Sequence, residues 1–350
     1  MLGSGEPKRV VLDPSLVSWG RTKRMELSEG RLRADVTSLL GPHSRLASPD
    51  LMDRFGQTLH GAFEEAGWPV EEQSYTLRGV RGSLDYGEGS KATFEQLSGR
   101  NILAIKPGME HRKDAFVVVA HYDTRRDTPG ADDNTASVAS LLELARLLRF
   151  SRFRRTVILA AVDHEEIGMI GSGALVPWLE SKYNVVGAVV LETVAYTDNK
   201  PRTLKLESKP GRLYHDQFVR MAKAEWSARF TLTLYRARGT SLAATFASAF
   251  ELFAGDGLCI PARDPGDLPL VGLFIRRFQR EFVRQFHRSD HVPFWEAGIP
   301  AIQVTDGANF SNPHYHAKTD LPETLDFGRL ADVTLGTAVT VADRSGFYGD

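Results

Sequence analysis

Three continuous apolar runs separated by helical stretches predict an α/β protein whose sheet is covered on both faces. The runs are DAFVVVA (114–120), TVILAAV (156–162) and VVGAVVL (185–191). Strands that read as unbroken apolar segments are buried on both sides, and crossover helices supply that burial. A second observation agrees. Each run ends on His, Asp or Glu, and open α/β sheets gather their ligands at the carboxyl ends of strands.

The elements follow in order. Residues 1–43 show no clear periodicity and read as an N-terminal extension. Within 44–70, Leu51, Phe55, Leu59 and Phe63 recur at i, i+4 and mark an amphipathic helix ending near Gly67. EEQSYTL and NILAIKPG read as strands. The three apolar strands alternate with helices over 135–150, with Leu141, Leu144, Ala145 and Leu148 on one face, and over 172–182. Residues 199–288 are less regular, with a helical stretch over 213–225 and Gly/Pro-rich pieces such as GDGLCIPARDPGDLP. They read as an insertion over the strand ends, where substrate choice is often set. A strand at 301–304 and a helix over 324–344 close the chain.

Composition narrows the function. The chain has 350 residues, 42% hydrophobic and 25% charged, with formal net charge −1. That balance gives no general attraction to nucleic acid or to anionic membranes. A single cysteine, Cys259, excludes an internal disulfide and a cysteine-based zinc site, so any metal must use His, Asp and Glu. No apolar h-region opens the chain and no apolar run approaches a membrane span, so the expected location is cytoplasmic.

The chemistry concentrates between His121 and Glu166, with Glu192 and His316 downstream. HYD places His121 and Asp123 just past one strand. His121 suits a metal through one ring nitrogen, while Asp123 accepts from the other or fixes the turn. In PGADDN, Pro129 and Gly130 shape a turn presenting Asp133, a carboxylate able to bridge two metals. Glu165 and Glu166 split two roles, one binding metal and the other taking a proton from water. Taken singly, each has an ordinary reading. Asp133 suits a helix N-cap, the Glu pair a solvated surface, and His314 and His316 a loop. Jointly, in this order past strands, they point to a metal-dependent hydrolase.

The blocks HYD (121–123), GADDN (130–134), EEIGMIGS (165–172), LET (191–193), SDHVPFWEAGIPAI (289–302) and NPHYHAKTDLPETLD (312–326) resemble the M28 family of zinc peptidases. That family includes aminopeptidases, glutamate carboxypeptidases and glutaminyl cyclases. The resemblance implies a three-layer α/β/α fold with a mixed, mostly parallel sheet, and one catalytic domain over 44–350. It implies one zinc held by His121, Asp133 and Glu192, and another by Asp133, Glu166 and His316. Glu165 would be the general base and then the acid, and Tyr315 would sit near the scissile carbonyl. Asp290 and His291 would line or brace the pocket. Cobalt or manganese suits the same donors. Two departures stand out: Glu192 is aspartate in many family aminopeptidases, and Ser137-Val138 replaces the usual small Ser-Gly pair.

The implied function is aminopeptidase-type cleavage of a small peptide or amino-acid amide. The alternatives are a biosynthetic amidohydrolase on a modified amino-acid amide, a glutaminyl-cyclase-like acyltransferase with one zinc, and an inactive binding module. The intact five-ligand set favours hydrolysis.

Overall fold

The computed structural model describes residues 6–84, 91–206, 213–269 and 272–350. Its strands are β1 (Val70–Ser83), β2 (Lys91–Lys106), β3 (His111–His121), β4 (Arg152–Phe153), β5 (Arg155–Val162), β6 (Asn184–Leu191), β7 (Thr231–Tyr235), β8 (Cys259–Arg263), β9 (Ala301–Thr305) and β10 (Phe347–Gly349). Eight of them form one sheet in the order β1-β2-β5-β3-β6-β9-β7-β8, and β4 pairs with β10. The central strands β5, β3, β6 and β9 run parallel, while β2 joins β5 and β7 joins β9 antiparallel.

The apolar runs divide by alternation. Phe116, Val118, Ala120, Leu159 and Leu191 point into one core. Val117, Val119, Ile158, Ala160 and Val190 point into another on the opposite face. The first core is covered by helices including Ala136–Leu147, Thr240–Ala254 and Phe327–Ser345, the second by Ile170–Lys182 and His291–Glu296. The result is a three-layer α/β/α fold with a mixed, mostly parallel sheet. No helix among the described residues is long and apolar enough to cross a membrane.

Two stretches are more regular than their sequence patterns suggest. In the N-terminal extension, 14–26 and 29–39 are helices. Asp13 and Ser28 cap them by accepting from the amides of Ser15 and Arg31. Leu16, Trp19, Leu32, Val36 and Leu39 enter the first core. Arg31 also forks onto the buried carboxylate of Glu143, at 2.6 and 3.1 Å. Residues 199–288 are likewise more than an insertion. β7 and β8 extend the main sheet, and the helix between them packs in the first core. The helical stretch expected over 213–225 is His215–Lys223.

Candidate active site

β3, β5 and β6 end side by side, and their parallel direction delivers His121, Glu165, Glu166 and Glu192 to one edge. Asp133 arrives from the loop after β3. Gly130 makes that loop possible: its φ is +71°, and an added Cβ would meet Thr124 Cγ2 at 2.3 Å. His316 comes from the loop after β9, with φ +57°. His164 and Thr193, next to Glu165 and Glu192, are also left-handed. Such conformations cost free energy and persist where the surroundings fix them, commonly at functional sites.

The five expected ligand residues form two overlapping groups, His121/Asp133/Glu192 and Asp133/Glu166/His316, each with one donor atom per residue within 4.8 Å of the others. His121 Nε2 lies 3.1 Å from Glu192 and 3.3 Å from Asp133 Oδ1. His316 Nε2 lies 3.1 Å from Asp133 Oδ2 and 3.7 Å from Glu166. The two oxygens of Asp133 therefore face different histidines. His314 turns away to Thr319 Oγ1 at 2.9 Å.

The electrostatics follow from this crowding. Burial opposes charge on His121, but Glu192, Asp123 and Asp133 outweigh it and hold its pKa well above the ordinary value. Burial would raise Asp133, yet His121 and His316 hold it well below the carboxylate range. Glu165 is pushed well up, first by burial and then by Glu192, Asp290 and Glu166, against His121.

Whether these groups fit a metal can be judged from their unmet bonding. His121 Nε2, Asp133 Oδ1 and Glu166 Oε1 are sealed from solvent, and none makes a hydrogen bond of acceptable geometry. Native interiors rarely leave such atoms unsatisfied. Imidazole and carboxylate donors converging in this way suit zinc.

Asp123 lies beside His121, with Oδ1 3.5 Å from Nδ1, and ties down a second loop. The His121 ring faces the Asp123 backbone carbonyl, with Nδ1 2.9 Å away. The Asp123 carboxylate accepts from the amides of Glu165 and Glu166, at 3.0 and 3.1 Å. Other supports carry no mark in the sequence. Asp320 accepts from the amides of Asp132 and Asp133, Ser289 Oγ donates to Glu192 at 2.8 Å, and Arg125 Nη1 reaches His316 Nδ1 at 2.8 Å. Ser289 and Asp320 stand inside recognised blocks, without a role; Arg125 stands outside them.

Tyr315 stacks on His316, with ring centroids 3.7 Å apart, and its hydroxyl accepts from Arg288 at 3.4 Å. Asp290 accepts from Ser172 Oγ at 2.6 Å. Its pKa is pushed up to about 7, by burial first, with Glu192 and Asp123 adding and His121 opposing. His291 faces elsewhere: its Nε2 lies 2.9 Å from the Phe286 carbonyl oxygen, and its ring packs edge-on against Trp295.

Burial above all, with His287 and Arg236 adding, pushes the His291 pKa from 6.5 down to about 3. The unfolded chain takes up the proton that the folded chain refuses. The stability present above pH 6.5 is therefore lost as pH falls toward 3. Between pH 7.5 and 5.5 this group lowers the unfolding free energy by about 1.4 kcal/mol. Urea unfolding of wild type and His291→Phe at both pH values checks this. An equal pH difference in the two proteins would rule it out.

Beside Glu192 and Tyr315 opens a cavity of about 790 Å³. Most of its wall comes from 206–288.

The comparisons fit this geometry. The model of peptidase family M28 matches residues 101–242. A probable zinc metalloprotease of Leptosphaeria maculans is 30% identical over 266 residues, covering 70% of this chain and 58% of that protein. Aminopeptidase YwaD of Bacillus subtilis is 26% identical over 259 residues, covering 71% of this chain and 45% of that protein. This chain thus spans about half the length of these two relatives. Among solved structures, the aminopeptidase from Aneurinibacillus sp. strain AM-1 superposes with TM-score 0.64 at 13% identity, covering 93% of this chain and 96% of that one. That likeness is one of fold. The matched segment carries β3, the Asp133 loop, β5 and β6, whose ends build the site, and by it this chain belongs to peptidase family M28.

Proposed function

We propose that the protein is a zinc-dependent metallopeptidase of the aminopeptidase type, cleaving an amide bond with two metal ions. The observation that carries this reading is the pair of ligand groups sharing Asp133, with Glu165 beside them. His121, Asp133 and Glu192 would hold one ion, and Asp133, Glu166 and His316 the other. Bound there, the ions would supply Lewis acidity to the carbonyl and to the attacking water.

The chain's own groups do the rest. Glu165 takes the proton of the attacking water and returns it to the leaving amine. Burial and the neighbouring carboxylates raise its proton affinity. Asp123 fixes the backbone of Glu165 and Glu166 together. Tyr315, anchored by its stacking on His316, would donate its hydroxyl to the developing oxyanion. Glu192, Asp290 and Glu166 interact electrostatically with Glu165, and such a concentration of carboxylates would favour a substrate that brings a free, protonated α-amine. A single-zinc acyl transfer would use one ligand group and leave the unsatisfied atoms of the other unexplained.

The test is turnover of aminoacyl p-nitroanilides. Protein stripped with a chelator should lose about 10²-fold or more of its rate, and zinc should restore it. Equal turnover of N-blocked substrates would remove the exopeptidase part of the reading. Metal-independent turnover would remove the whole.

A further inference from the structure

The cavity beside Glu192 and Tyr315 is larger than cleavage after an ordinary residue requires. Its volume of about 790 Å³ lies in the range of pockets that bury whole drug-sized ligands, roughly 300–1,000 Å³. Its interior is lined by Phe218, Met221, Leu232, Ile260, Phe282 and Phe286. Charged side chains, Arg277, Arg280, Glu281 and Arg288, also line it, while two polar groups in the wall are tied to the protein's own backbone. Tyr214 donates to the Arg263 carbonyl at 2.6 Å, and Gln217 to the Pro261 carbonyl at 3.0 Å. Phe278, which lines the cavity and is 66% exposed, packs its ring against Phe274, 59% exposed.

Resting on the peptidase reading, we infer that this cavity binds an apolar group of the substrate longer than any ordinary amino-acid side chain, an extended alkyl or aryl-alkyl group on the acyl side of the scissile amide. The cavity begins at two residues of the candidate site, so a group attached next to the reacting carbonyl reaches it directly. A leucine or phenylalanine side chain would fill only its inner end and leave apolar wall against water. Each further methylene that enters removes apolar area from water and strengthens binding.

The experiment uses the zinc-loaded full chain. The substrates are p-nitroanilides of linear α-amino acids, from norleucine through 2-aminooctanoic to 2-aminododecanoic acid, with leucine and phenylalanine beside them. The free α-amine is common to all. The expected result is a kcat/KM that rises about threefold per added methylene beyond norleucine. A maximum at norleucine, leucine or phenylalanine, falling with longer chains, overturns the inference and leaves the peptidase reading intact.

Calorimetry of the free amino acids separates the two claims further. If no amide is hydrolysed but 2-aminododecanoic acid binds more tightly than norleucine, the cavity assignment stands and the peptidase reading falls. If it binds no more tightly, the cavity assignment falls. Met221→Trp and Ile260→Trp, which fill the cavity, should abolish the gain in kcat/KM from norleucine to longer chains; a folded variant that keeps the full gain overturns the inference. Should either fail to fold in a thermal scan, the wild-type series alone decides.

Discussion

Replacing Glu165 by glutamine leaves metal content unchanged and lowers turnover about 10³-fold. The substitution keeps the side chain's shape and removes its capacity to accept a proton. Glu165 is in neither ligand group, so its loss leaves both sets of donors complete. Its backbone amide remains held by Asp123. Elemental analysis and steady-state rates on the same preparation separate the two effects. Wild-type turnover in this variant would end the assignment of Glu165 as the base. A parallel fall in metal content would make it a ligand instead. The acid limb of the kcat/KM profile, which reports ionisation of the base in the free enzyme, should also disappear.

Asp133→Asn is expected to weaken both metal positions at once. Each Asp133 oxygen faces a different histidine, so a single carboxylate completes two groups. Glu192→Gln and His316→Ala each touch one group only and should each release one ion of about two per chain. Replacing a partner of a metal ligand costs about 10–100-fold in affinity or activity, and loss of a shared ligand should cost at least as much at each position. Zinc titration against a competing chelator, comparing the three variants, reads this out. If Asp133→Asn retained one tightly held ion, the bridging role would be wrong.

Much of this architecture was legible in the sequence because burial writes itself there. β3, β5 and β6 read as apolar runs since both faces of each are covered, and their ends were placed to within a few residues. β7 (TLTLY) and β8 (CIPAR) were not recognised. They are short, one lies at the sheet edge, and each alternates or carries a proline, so neither forms an unbroken apolar run. The helices at 14–39 bury Leu32, Val36 and Leu39 at helical spacing, but between arginines and acids that dilute the pattern. Their caps, Asp13 before Pro14 and Ser28 before Glu29, were the readable signal.

At the site, residues offering imidazole or carboxylate at strand ends stood out. Their supports did not, because Ser289, Arg125 and Asp320 act through contacts that join distant loops. His291, beside Asp290 in a recognisable block, reaches the pocket through its contact with the Phe286 carbonyl, which no sequence pattern marks.

The single aspartate at position 123 makes two loops answer to one another. Its carbonyl oxygen faces the ring of His121, while its carboxylate seizes the amides of Glu165 and Glu166 just past the neighbouring strand. The turn after β3 and the turn after β5 are thereby mechanically joined, whatever their separation along the chain. A designer grafting the Glu165-Glu166 loop from one scaffold to another would have to carry HYD with it. A lineage drifting at either turn would be under pressure to change the other in step.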